Sequence, residues 1–144
     1  MTTILINENK YGFTIKRKNK TNLKFEVTNC KCIMPINQND SMWFIKIKVP
    51  DDVIENIIDI EKQANMIIKN YELLSSLDND NCINIKIPFR YRKFECDFYN
   101  KEEQRIVSCD IITDDILTIH IECVNIWKND KFFSLTWKTK LIKK

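Results

Sequence analysis

Three segments of this chain set cations on alternate positions with a phenylalanine among them, and alternation sends side chains to one face of an extended strand. In SMWFIKIKV, Phe44, Lys46 and Lys48 share a face, opposite Trp43, Ile45, Ile47 and Val49. In the segment 83–94, Lys86, Arg90, Arg92 and Phe94 alternate with Ile83, Ile85, Ile87, Phe89 and Tyr91. Near the C-terminus, Phe132, Lys138 and Lys140 alternate with Phe133, Leu135, Trp137 and Leu141. Cations at this spacing can neutralise successive phosphates, and exposed rings offer faces to bases, each stacked base contributing about 1–3 kcal/mol. The candidate nucleic-acid-binding residues are therefore Phe44, Lys46, Lys48, Lys86, Arg90, Arg92, Phe94, Phe132, Lys138 and Lys140.

Other chemistries find less support. The chain has one histidine, His120, no glycine-rich phosphate loop and no helical histidine pair, so nucleophilic, phosphoryl-transfer and zinc chemistry lack their usual groups. Asp114 and Asp115 are sequence neighbours that point apart in a strand, and a turn accounts for them better. Asp78 and Asp80 flank asparagines as turn residues do. Of the six cysteines only Cys30 and Cys32 are close, tighter than zinc-ligand pairs usually run, and scattered thiols in a reducing compartment are most often small buried hydrophobes. No catalytic residue, cofactor or metal is expected.

The elements that must position the cations follow from periodicity. Strands are predicted over 2–8, 11–18, 23–34 and 41–49. Pro50 then ends the extended run, and Asp52 with Glu55 forms a capping-box pattern. The spacing predicts a helix through about residue 76, with Ile54, Ile57, Ile58, Ala64, Ile67, Ile68, Tyr71 and Leu74 on its apolar face. Strands resume over 82–98, 105–112, 116–127 and 132–142, the last two joined by the turn KNDK. The fold class is mainly β with one long central helix: an OB-fold-like antiparallel barrel, or a strongly curved sheet.

At 144 residues, 44% hydrophobic and 30% charged, the chain is expected to form a single domain, 1–144. It has no apolar run of membrane-spanning length and no secretory pattern at its start, so an intracellular, non-secreted protein is expected, with no membrane partner. Isoleucine, asparagine and lysine are abundant beside one alanine and one glycine, the imprint of an AT-rich genome, so lysine content alone says little. Its distribution says more. Residues 51–80 hold eight acids and two lysines, a net of −6, which leaves +9 for the remainder of a chain whose total is +3. A polyanion would be steered to the strands and away from the helix.

Two tryptophans complete the picture. Trp137 lies with Phe133 and Leu135, and Trp127 continues the apolar register of Leu117, Ile119, Ile121 and Cys123, so both are expected in the core or at its rim. The closing segment IECVNIWKNDKFFSLTWKTKLIKK, with Trp127, a polar turn, then Leu135, Trp137 and Lys138, resembles the last strands of the OB-fold single-stranded DNA-binding proteins of large nucleocytoplasmic DNA viruses. MWFIKIKVP, leading into a helix, is compatible with the same family. It departs from the pattern in having Ser134 where a glycine is usual, and Leu141 to Lys144 in place of the acidic, aromatic-ended tail of related phage proteins.

The resemblance implies sequence-nonspecific binding of single-stranded DNA, or of RNA, during genome replication or repair at a viral replication site or in the host cytoplasm. It also admits a homo-oligomer or replication proteins as partners. The competing expectation is a non-catalytic β-rich structural or protein-interaction module, such as a virion or assembly protein. It would scatter the lysines and expose an apolar patch, whereas a binding module would gather them along one groove.

Overall fold

The computed structural model describes residues 2–144. In chain order the elements are β1 (Ile4–Glu8), β2 (Gly12–Arg17), β3 (Leu23–Asn39), β4 (Met42–Lys48), α1 (Asp51–Ile67), β5 (Glu72–Leu73), β6 (Cys82–Ile87), β7 (Phe89–Arg90), β8 (Lys93–Phe94), β9 (Asp97–Tyr99), β10 (Ile116–Lys128) and β11 (Phe132–Lys143). Five of them close a ring: β3 pairs with β4, β4 with β6, β6 with β11, β11 with β10, and β10 with β3. The strongly curved, barrel-like sheet expected from the strand pattern is present. It is mixed rather than purely antiparallel, because β5, β6 and β9 each run parallel to β11.

β3 makes the closure geometrically possible. Its first half pairs with β10 and its second half with β4, and Lys31 faces both partners. Such a bend needs irregular backbone. It is supplied by Asn29, in the left-handed region at φ 55, and by register shifts between Cys32 and Met34 and between Met34 and Asn37. Asp40 and Ser41, also at positive φ, then turn the chain tightly into β4.

The inward faces of the ring strands pack one continuous apolar cluster. Leu23, Val27, Ile45, Ile47, Ile83, Ile85, Leu117, Ile119, Ile121, Phe133, Leu135 and Trp137 are all buried in it. α1 adds Val53, Ile54, Ile57, Ile60 and Ala64. No helix among the described residues is long and apolar enough to cross a membrane.

Several elements differ from expectation for identifiable reasons. α1 stops at Ile67, not near 76; Ile58, Ile67 and Leu74 are exposed. Tertiary pairing overrides the helical pattern: Glu72 and Leu73 join β11, and the carboxylate of buried Glu61 accepts from Ser75 Oγ (2.7 Å), Ser76 N (2.7 Å) and Ser76 Oγ (2.8 Å). The N-cap is Pro50, so Asp52 lies within the first turn and the capping box with Glu55 does not form.

The expected strand 82–98 breaks at Pro88, which lacks a ladder donor, and folds back as the β7–β8 hairpin. The expected strand 105–112 is instead a bridge at Arg105 and a 3-10 turn over Ser108–Asp110. There the Asp110 and Asp115 carboxylates accept the backbone N–H of Val107 and of Ile112, each at 2.9 Å, which competes with strand pairing.

All six cysteines are free. Burial pushes the thiols of Cys30, Cys96 and Cys123 up to about 12 and that of Cys32 to about 11, which keeps them protonated and poorly nucleophilic. Among the described residues no three His, Cys, Asp or Glu side chains gather as a metal site.

Candidate nucleic-acid interface

Pairing register aligns part of the predicted ladder across the outer face of the barrel. Phe44 on β4 sits opposite Lys86 on β6, and Lys86 sits opposite Lys138 on β11. Two lysines on neighbouring strands repel one another, and an anion between them would relieve that repulsion. Among the described residues, neither Lys86 nor Lys140 has an acidic partner within 4.0 Å. Lys138 approaches Glu122 at 3.7 Å, and Arg90 approaches Glu95 at 3.4 Å.

This row lies in a groove with two connected parts. The larger, about 700 Å³, runs past Tyr11, Met42, Phe44, Lys86, Trp127 and Thr136. The smaller, about 380 Å³, shares Lys86, Asn125 and Thr136 with it and continues along Phe89, Arg90, Glu95, Lys138 and Lys140. No lining residue of either part comes from the acidic segment 51–80. In chain order β4 and β6 are the second and third strands of the ring, and Trp127 leads into the loop between the fourth and fifth. Five-stranded barrels of the OB type offer oligonucleotides those strands and that loop.

The groove therefore gathers Phe44, Lys86, Arg90, Lys138 and Lys140 of the predicted residues and leaves out the other five. Lys46 is held by Asp78 at 3.0 Å, a contact that raises the lysine's pKa. Lys48, at the end of β4, faces Lys31 and Cys82. Phe132 pairs with Glu72 at the far end of β11. Arg92 sits at the tip of the β7–β8 hairpin. Phe94 is turned inward, packed on Trp43 (5.2 Å between ring centres), Phe89 (5.1 Å) and Phe98 (6.1 Å). Because the hairpin reverses the chain, Phe89 takes the exposed position expected of Phe94; it is 44% exposed and lines the groove.

Trp127 also departs from expectation, whereas Trp137 does not. Trp137 is 1% exposed, its indole N–H donating to Ser76 Oγ at 3.1 Å. Trp127 is 49% exposed and lines the groove. Between Cys123 and Asn125 the β10 register slips by one residue, so the inward set changes from Leu117, Ile119, Ile121 and Cys123 to Ile126, and Trp127 turns out.

Tyr11 is the other ring that the alternation pattern did not reveal. Asn9 Oδ1 accepts the backbone N–H of Tyr11 and of Gly12, each at 2.9 Å, and this Asx turn projects Tyr11, 82% exposed, beside the groove. The polar run NENKYG carried that signal. Gly12 follows because β2 crosses close to β10: a β-carbon there would stand 2.4 Å from the Ile126 carbonyl oxygen. Lys128 braces the same corner. Its ammonium donates to Tyr71 Oη at 3.1 Å and to Glu8 Oε1 at 3.5 Å, and lies over the rings of Phe13 and Tyr71.

A curved five-stranded ring with a cation-and-ring groove on its outer face defines an architecture used by single-strand-binding proteins. Among solved structures, the chain is similar to the single-stranded DNA-binding protein from bacteriophage Enc34 in complex with ssDNA, with a TM-score of 0.58 over 99% of this chain and 94% of that one. Sequence identity between the two is 13%, so the likeness is one of fold. No protein-family model and no curated sequence matches the chain.

Proposed function

We propose that this chain is a sequence-nonspecific single-stranded DNA-binding protein, acting in genome replication or repair of the kind run by large nucleocytoplasmic DNA viruses. The observation that carries the proposal is the row Phe44, Lys86, Lys138 set by strand register within the groove. It puts a stacking ring beside Lys86, which has no acidic partner within 4.0 Å among the described residues, and sets Lys138, with Glu122 at 3.7 Å, across from it. Tyr11, Trp127 and Phe89 add rings along the same path. Rings and cations engage base faces and phosphates that every single strand shares, which favours sequence-tolerant binding. The fold likeness to a protein solved with single-stranded DNA agrees with this reading.

Titration of fluorescent oligo(dT) at two salt concentrations tests the proposal. Expected is binding that weakens with salt at a log–log slope of about −0.7 per phosphate contacted. A Lys86→Glu/Lys138→Glu variant with an unchanged melting profile should lose it. Oligo(U) in parallel reads the preference between DNA and RNA. A wild-type chain that ignores both oligonucleotides at low salt would leave the protein-interaction module as the better account.

A further inference from the structure

The β7–β8 hairpin turns on two residues, Tyr91 and Arg92, at φ 55 and φ 63. A two-residue hairpin turn with both central residues at positive φ favours Asn, Asp or Gly, because a β-carbon crowds the left-handed region. Here the strained positions hold a ring and a guanidinium. Tyr91 is 86% exposed, the most exposed ring among the described residues. Among those residues, neither Arg92 nor Lys93 has an acidic partner within 4.0 Å, whereas Arg90, one step toward the barrel, is held by Glu95. The foot of the hairpin is fixed: Phe89 and Phe94 pack on Trp43 and on each other. The tip thus stands on a packed foot and follows directly in the chain from Phe89 and Arg90, which line the groove.

We propose that this tip is a second contact element for the single strand, with Tyr91 stacking on a base beyond the groove and Arg92 engaging the adjacent phosphate. The inference rests on the single-strand reading above. It explains why both turn positions carry large side chains: Asn-Gly would relax the turn and would present neither a ring nor a cation. Strain kept where a functional contact requires it is a known pattern.

The test is a Tyr91→Asn/Arg92→Gly variant, read by melting temperature and by oligo(dT) affinity. A purely structural tip predicts an equal or higher melting temperature with unchanged affinity. The proposal predicts an equal or higher melting temperature with affinity about tenfold lower or more. A separate Tyr91→Trp variant should retain affinity, and oligo(dT) should change its fluorescence relative to the wild type. Unchanged affinity in the Asn-Gly variant, while Lys86→Glu/Lys138→Glu loses binding, would overturn the hairpin contact alone. A wild-type chain that binds no single strand would remove both proposals, and a lower melting temperature for Asn-Gly would overturn the strain account.

Discussion

Lys46 and Lys86 look equivalent as letters in a strand pattern, yet their surroundings differ. Asp78 engages the Lys46 ammonium at 3.0 Å, whereas Lys86 faces Phe44 on one side and Lys138 on the other. Lys86→Ala should reduce the salt slope of oligo(dT) binding by about 0.7. Lys46→Ala should leave that slope close to wild type; equal losses in the two variants would mean that the strand runs along the whole length of β4. The two tryptophans separate in the same way. Trp137→Ala removes a buried indole and should destabilise by about 3–5 kcal/mol in urea unfolding. Trp127→Ala should change stability by about 1 kcal/mol or less, weaken oligonucleotide binding, and abolish most of the fluorescence quenching that binding produces.

Elements bring these residues to the groove, and two turns are decisive. The β1–β2 turn stands against β10 only because position 12 has no β-carbon. Gly12→Ala must displace β2 from Ile126 and should lower stability by about 1–3 kcal/mol, with weakened binding because Tyr11 moves with the turn; a full-strength melt would show that β2 can shift without loss. The turn before β6 depends on Asp78, whose carboxylate accepts the backbone N–H of Asp80 (2.8 Å) and of Cys82 (2.9 Å). The Cys82 N–H, and after it the Lys46 ammonium, lower the pKa of Asp78 below the ordinary carboxylate value of 3.8. Its stabilising effect is therefore full above that value and is lost as pH falls through the lowered one. The melting-temperature gap between wild type and Asp78→Asn should be constant near neutral pH and close only below about 4.

At the scale of the molecule, charge is segregated. The net of −6 over residues 51–80 supplies no groove-lining side chain, and the +9 of the remainder includes every cation of the groove. Separation of this kind orients an approaching polyanion, and its influence fades beyond the roughly 8 Å screening length of physiological salt. Replacing Asp51, Asp52 and Glu55 by their amides should speed oligo(dT) association at low salt and leave affinity within about twofold at physiological salt. A large affinity gain at physiological salt would place the helix much nearer the bound strand than the groove does.

The alternation of Ile45 and Ile47 with Phe44 and Lys46, and the abrupt change at Pro50, are local properties, so composition and periodicity determined the β-rich class, the single helix and the buried place of Trp137. Local sequence also contained the cation ladders, because a period of two assigns a face wherever a strand stays regular. Only the tertiary structure decided which rungs meet. A one-residue slip in β10 turned Trp127 outward, Pro88 and a strained turn exchanged the roles of Phe89 and Phe94, and Asp78 occupied Lys46. The reach of the helix was settled in the same way, by Glu61 capturing Ser75 and Ser76 and by β11 pairing with Glu72 and Leu73. Bulges, hairpin reversals and long-range ion pairs are chosen by the free energy of the whole packed chain, and that sum is absent from any window of neighbouring residues.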